Sequence, residues 1–219
     1  MIEIEHLSGY INCKFNFGQY TFAMTELSFL FESKLYYLYG EIDSGNWAIS
    51  YLLSHCNDKD NMIWEEAEYT LNSQPCTLFE IGQHCCYISK SHNNMFREKT
   101  RKTVKHFVEK NLAKSKVKLT VEEIRNLFEI DESRFERPIY QTGNMSLRCA
   151  AAIGLAADKQ VYCFPWFSKK MYRYYKPHII AIVDALRSQN RTILLPTSHE
   201  MEFEKSEDIE YIEVKDGYI

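Results

Sequence analysis

The chain has 219 residues, 45% of them hydrophobic, and a formal net charge of −4. That length suits one domain, or one domain with an inserted subdomain, and the hydrophobic share is enough for a sizeable core. The acidic balance argues against a dedicated nucleic-acid binder, and no apolar run reaches the length of a membrane span.

Met1-Ile-Glu-Ile-Glu alternates from the first residue, a strand pattern and not that of a signal peptide. Residues 1–39 read as antiparallel strands. Ile2, Ile4 and Leu7 alternate with Glu3 and Glu5, Tyr10–Phe17 is a second alternating stretch, and Thr21–Phe31 is a third. Aromatic residues are dense here, as on β surfaces. Leu35–Tyr39 is an apolar run short enough for a buried strand, and Gly40 breaks it. Asp43, Ser44 and Gly45 then make a turn, and Ala48–Leu53 continues at helical spacing.

Strand, turn and helix are the setting of a phosphate-binding loop, whose pattern is G-x-x-x-x-G-K-[ST]. Gly40 and Gly45 stand at that separation, with Ser44 between them. Asn46 occupies the lysine position and Trp47 the Ser/Thr position. The lysine would neutralise the outer phosphates and the hydroxyl would hold magnesium, and neither group is present. Glu41 and Asp43 add negative charge beside any anion. Backbone amides and the helix N-terminus still offer a weak anion attraction.

Residues 61–90 read as strands again, with Met62–Trp64, Glu68–Leu71 and Gln83–Ile88 as candidates. His84 precedes the adjacent Cys85 and Cys86. We take this as a buried strand and not a metal site, because zinc ligands come as separated pairs, and no metal is expected. The seven cysteines, an odd count without regular spacing, fit reduced thiols in a cytosol. Asn93–Arg137 is helical and charged. Val104, Phe107, Val108 and Leu112 share a helical face. Thr120 and Glu123 form a capping box ahead of the apolar face of Val121, Ile124, Leu127 and Phe128. The Lys-rich run Lys110–Lys118 reads as a solvated linker, with a contact to acidic lipid headgroups as its functional alternative.

Beyond Tyr140 come the turn Gln141–Met145, a small-residue helix at Leu147–Ala157, a strand at Val161–Phe164 and a helix at Pro177–Arg187. Strands at Arg191–Leu195 and Tyr211–Val214 follow. Strands alternating with helices imply a parallel sheet covered by helices.

In this order the pieces resemble the ATP-binding subunit of ABC transporters over nearly the whole chain. The family's signature turn is similar to Thr142-Gly143-Asn144-Met145, and the alanine-rich helix behind it to Ser146–Ala157 with Arg148. The strand that ends in Asp-Glu in the family corresponds to Val161–Phe164, so Pro165 and Trp166 stand where those carboxylates would be. The Thr-rich strand before the switch histidine is similar to Thr192–His199, with Ser198 or His199 in the switch place, and the Q-loop falls near Lys90. Tyr10 stands close to where the family stacks an aromatic ring on adenine, one residue short of the usual spacing.

The resemblance implies an α/β, P-loop NTPase-like fold: a mixed sheet core with an antiparallel β part and a helical subdomain. It also implies one domain over 1–219, with core 1–90 and 146–219 and the subdomain near 91–140. It implies partners, since such subunits dimerise and dock on a membrane permease, and a cytoplasmic place, peripheral at the inner face of the membrane and without direct insertion. Catalysis is not implied. Phosphoryl transfer is mostly positioning and electrostatic stabilisation, and the lysine, the magnesium hydroxyl, the Asp and the Glu are all replaced. No catalytic residue is expected here, and ATP and magnesium are expected only weakly or in a partner's site. ATP sites in the family lie between the loop of one subunit and the signature turn of the other. Thr142–Met145 could therefore complete the site of an intact ATPase subunit. The alternative is a stand-alone homodimeric scaffold. An enzyme of another class lacks any Ser/His/Asp or Cys/His arrangement to support it.

Overall fold

A computed structural model describes residues 1–15, 18–55, 62–88, 101–203 and 206–214. Its first layer is an antiparallel sheet of four strands in the order β2-β1-β4-β5. β1 (Ile2–Phe15) and β2 (Gly18–Phe31) are long partners, and β4 (Met62–Leu71) and β5 (Gln74–Cys76) continue the sheet on the other side of β1. The two alternating stretches expected before residue 17 are thus one strand. Its alternation breaks because the register shifts between Ile4 and Gly9, with His6 at φ 56° and Gly9 at φ 156°. A bulge of this kind turns side chains over without ending the strand. Met62–Trp64 and Glu68–Leu71 likewise merge into β4.

The second layer is a sheet of five parallel strands, β6-β7-β8-β3-β9. These are β3 (Leu35–Tyr39), β6 (Cys85–Tyr87), β7 (Val161–Cys163), β8 (Thr192–Thr197) and β9 (Ile209–Glu213). β7 and β8 are buried at every residue, which is why they read as continuous apolar runs. Alternate residues feed two cores. Tyr36, Leu38, Cys85, Cys163 and Leu194 face α1 (Ala48–His55) and the antiparallel sheet. Leu35, Tyr37, Cys86, Tyr162 and Leu195 face the opposite side, which α6 (Ser146–Ala156) and α7 (Lys169–Arg187) cover.

Every residue of α6 is buried. Its small side chains allow that, since a Cβ at Gly154 would lie 2.6 Å from Cys86 Sγ. Between β6 and α6, the helices α3 (Val104–Leu112), α4 (Val121–Leu127) and α5 (Glu132–Phe135) pack through Val104, Val108, Ile124, Phe128 and Phe135 into the α6 side of the core. The Thr120–Glu123 capping box is formed. The expected helical stretch at 93–100 and the Q-loop place near Lys90 lie outside the described residues, as does the Tyr10 side chain.

Two elements differ from the sequence reading. Gln83 belongs not to a strand but to α2 (Leu78–Gln83), which opens on a second capping box, Thr77 with Glu80. The last long helix begins at Lys169, not at Pro177, which lies inside it. Ser168 caps it by accepting from Met171 N, and buried Tyr172 anchors its first turns. Pro177 removes one helical donor. Its carbonyl is held from outside by Arg148 Nη2 at 3.1 Å.

Candidate functional site

The loop after β3 lies at the carboxyl edge of the parallel sheet, the edge on which open α/β sheets carry their ligands. Gly40 N donates to Thr197 O at 3.0 Å, so the loop starts pinned to β8. A 3₁₀ turn over Ile42–Ser44 follows, with Ser44 N and Oγ both donating to Glu41 O.

The centre of the loop is filled by its own side chains. Asn46 is 2% exposed. Its Nδ2 donates to Leu38 O at 2.7 Å and Gly40 O at 3.1 Å, with Thr197 O at 3.4 Å. Three carbonyl oxygens thus converge on one carboxamide. Such an environment carries partial negative charge and suits a donor, whereas a phosphate cradle presents N–H groups. Trp166 Nε1 adds a second donor to Gly40 O at 3.2 Å. Trp47, buried in the same core, sends its Nε1 to Ile42 O at 2.8 Å.

Both glycines serve close packing. A Cβ at Gly40 would lie 2.3 Å from Ser44 Oγ, and Gly45 (φ 80°) is overlain by the Phe22 ring, 2.0 Å from where its Cβ would be. Phe22 also packs edge-on against Trp47, with centroids 6.3 Å apart. Phe22 comes from β2, far away in sequence, and nothing local could have announced it.

Beside the loop an open pocket of about 340 Å³ is lined by Tyr39, Gly40, Glu41, Asp43, Ser44, Glu213 and Val214. Among the described residues its lining has three carboxylates and no Lys or Arg. A phosphate about 4 Å from one carboxylate meets a repulsion of roughly 1–4 kcal/mol per charge pair, depending on the local dielectric.

Pro165 and Trp166 follow β7, Trp166 packs into the core on the α1 side, and Ser50 Oγ ties α1 to Phe164 O at 2.7 Å. Trp166 brings an indole N–H to the loop. Ser198 accepts from Lys169 N at 3.1 Å and so helps seat the start of α7. His199, 5% exposed, is turned to the α7 face of the sheet, away from Trp47 and Trp166. It stacks on Tyr172 with centroids 4.5 Å apart, its Nδ1 meets Glu200 O at 2.7 Å, and its Nε2 lies 3.6 Å from Glu202. Of the residues expected in a site, Gly40, Ser44, Gly45, Asn46, Trp47 and Trp166 come together, and His199 does not join them.

The Thr142–Met145 turn sits at the N-terminus of α6, after a 3₁₀ turn over Ile139–Gln141. Thr142 is fully buried, and its hydroxyl donates to Ile139 O at 2.7 Å. Gly143 (φ 62°) and Asn144 are exposed, and Met145 packs partly on the core. Behind the turn Arg148, 7% exposed, is a hub. It donates to Phe128 O, Glu129 O, the Glu129 carboxylate, Pro177 O and His178 Nδ1. Burial, and then the Arg148 charge, hold the His178 pKa below its ordinary value.

Three buried cysteines among the described residues are held as thiols. Burial pushes the Cys86 and Cys149 thiols up to about 12, and the Cys163 thiol up as well. Among the described residues no group of three or more His, Cys, Asp or Glu could hold a metal ion. Nor, among those residues, is any helix long and apolar enough to cross a membrane.

No protein-family model matches the sequence, and no curated protein matches it. Solved structures do match the fold. The ATP-binding cassette MJ0796, in a dimeric post-hydrolysis state bound to ADP and phosphate, is 14% identical, with a TM-score of 0.62 over 99% of this chain and 95% of that one. An ATP-binding subunit of an ABC transporter is 13% identical, with a TM-score of 0.63 over 99% and 87%. The cbiO1 protein of Clostridium perfringens, part of the ABC transporter complex cbiONQ, is 12% identical, with a TM-score of 0.53 over 90% and 79%. The chain has the fold of the ATP-binding cassettes.

Proposed function

We propose that this chain is a cassette-fold subunit without a working nucleotide site of its own. It serves as a structural or regulatory partner of an intact ATPase subunit, of a membrane permease, or of both. The observation that carries the reading is the Asn46 carboxamide, buried where the loop lysine would reach a phosphate and bonded to the Leu38 and Gly40 carbonyls. Phe22 over Gly45, Trp166 against Gly40 and the carboxylates of Glu41, Asp43 and Glu213 support it. Neither Pro165 nor Trp166 supplies a carboxylate to hold magnesium or to orient water.

A partner's site would meet this chain through Gly143 and Asn144, which are exposed at the start of α6, and not through the Thr142 hydroxyl, which is spent on Ile139. Binding to a permease would place the chain at the inner face of a membrane without inserting into it. Dimers and transporter complexes among the structural neighbours are properties of those proteins, and they set the kind of partner to look for.

The test is purification of the chain at native expression in mild detergent, with the stoichiometric companions identified. A polytopic membrane protein, or an ATPase with an intact loop, is the expected companion. Recovery of the chain alone, or only with further copies of itself, would favour the stand-alone scaffold and overturn the proposal.

A further inference from the structure

A second cavity, of about 530 Å³, opens at the amino edge of the parallel sheet, the opposite edge from the loop. Its size lies within the range of small-molecule sites. The core supplies its floor, through Val161 and Thr192 at the starts of β7 and β8 and Phe31 at the end of β2. The turn after α3 supplies the outer wall, through Lys114, Ser115 and Lys116.

The charges in this wall do not cancel. Asp158 is its one carboxylate among the described residues, and Arg191 takes it at 2.9 Å. Gln160 is spent on Asp158 and Arg191. Lys114 and Lys116 have no ionic partner among the described residues. Neither the Gln83 amide nor the His84 ring has a side-chain hydrogen bond there. The cavity therefore carries a positive excess in a chain whose net charge is −4.

The wall is also built in advance. Lys114 N donates to Asn111 O at 3.0 Å, Ser115 N to Leu112 O at 3.3 Å, and Val117 N to Ser115 Oγ at 3.3 Å, so the turn holds its own shape. Asn111 Nδ2 reaches Ile153 O at 3.5 Å, which ties the end of α3 to α6. Across the cavity, His84 O accepts from Gln160 N at 2.8 Å and Val161 N at 3.1 Å, fixing the base of the His84 side chain to the sheet edge.

We infer that this cavity is a binding site for a small phosphate-bearing anion. Lys114 and Lys116 meet the charge, and Gln83 and His84 donate hydrogen bonds to the phosphate or to the polar group that bears it. This gives the Lys110–Lys118 run a place in the molecule, since two of its lysines line one cavity. A ligand here would join the turn after α3 to the sheet edge. The site is independent of the loop after β3 and does not rest on the proposed partnership.

The source of the phosphate is either a free metabolite or a lipid headgroup, and two arms of one experiment separate them. The whole purified chain is titrated calorimetrically with inorganic pyrophosphate at low salt. It is also floated with vesicles of phosphatidylcholine doped with phosphatidic acid. The K114Q/K116Q double variant and K170Q, an exposed lysine on α7 away from the cavity, are run beside it. These positions are exposed, so the variants keep the fold. Saturable pyrophosphate binding, weakened about tenfold or more by K114Q/K116Q and unchanged by K170Q, is expected for a free ligand. Vesicle binding with the same variant pattern and no pyrophosphate binding assigns the site to a headgroup. Absence of both, or equal losses in K170Q and K114Q/K116Q, overturns the inference. Because pyrophosphate carries no nucleoside, and the variants lie far from Gly40–Trp47, either result leaves the reading of the loop to its own tests.

Discussion

Replacing Asn46 by alanine removes the group that closes the loop. The carboxamide is 2% exposed and supplies two short hydrogen bonds, to Leu38 O at 2.7 Å and Gly40 O at 3.1 Å. Each is worth about 0.5–1.5 kcal/mol net. The excised amide leaves a small void between β3, β8 and α1, which adds roughly another 1 kcal/mol. The expected loss is therefore about 2–4 kcal/mol, a large part of the roughly 5–15 kcal/mol that stabilises a typical domain. For a chain of this length that lowers Tm by about 5–15 °C. Urea unfolding followed by tryptophan fluorescence reads it directly, since Trp47 and Trp166 lie at the site. Asn46→Asp is the sharper comparison. It keeps the shape but points a carboxylate at carbonyl oxygens, so it is expected to be less stable than Asn46→Ala. A loss below about 0.5 kcal/mol for alanine, or an aspartate variant more stable than the alanine one, would refute the argument that the loop interior is a donor-seeking pocket.

Other outcomes follow from the same geometry. Arg148→Met is expected to cost about 1–3 kcal/mol for each buried carbonyl it leaves without a donor, among those of Phe128, Glu129 and Pro177, in the same unfolding assay. Glu129→Gln should cost no more than about 1 kcal/mol, since that carboxylate is 69% exposed. Gly45→Ala should lower Tm through a positive φ and the Phe22 ring, and a Phe22→Ala background should recover part of the loss. Burial and Arg148 depress the His178 pKa, so below its ordinary value of 6.5 the unfolded chain takes up a proton that the folded chain resists. Stability should therefore fall as pH drops through that region. His178→Gln, which keeps an acceptor for Arg148 Nε, should flatten the slope.

The sequence made some of this legible and hid the rest for physical reasons. Local signals were reliable where the chain obeys local rules. Leu35–Tyr39 is a buried strand, Ala48 onward is a helix, and the Thr120–Glu123 pair caps as its spacing says. The Thr77–Glu80 box carried the same signal for α2, but the apolar run that continues into Cys85 and Cys86 overshadowed it. The helix expected from Pro177 begins in fact at Lys169. The structure carries that proline inside the helix, which Ser168 caps well before the ring.

The strand, turn and helix around the loop were legible. What fills the loop was not. Phe22 and Trp166 reach Gly45 and Gly40 from β2 and from the end of β7, contacts that no spacing rule encodes. The facing of His199 depends on which side of the sheet the chain takes after β8, and the stacking on Tyr172 decides it. The Thr142 hydroxyl looked available in the sequence and is instead buried against Ile139.

The central claim, that this cassette fold has no working nucleotide site of its own, is tested most directly by titrating the isolated chain with ATP and magnesium in a calorimeter. The account predicts no saturable heat up to millimolar nucleotide, because Asn46, Trp47 and Trp166 close the loop and three carboxylates line the pocket beside it. Stoichiometric, magnesium-dependent binding at micromolar affinity would contradict it.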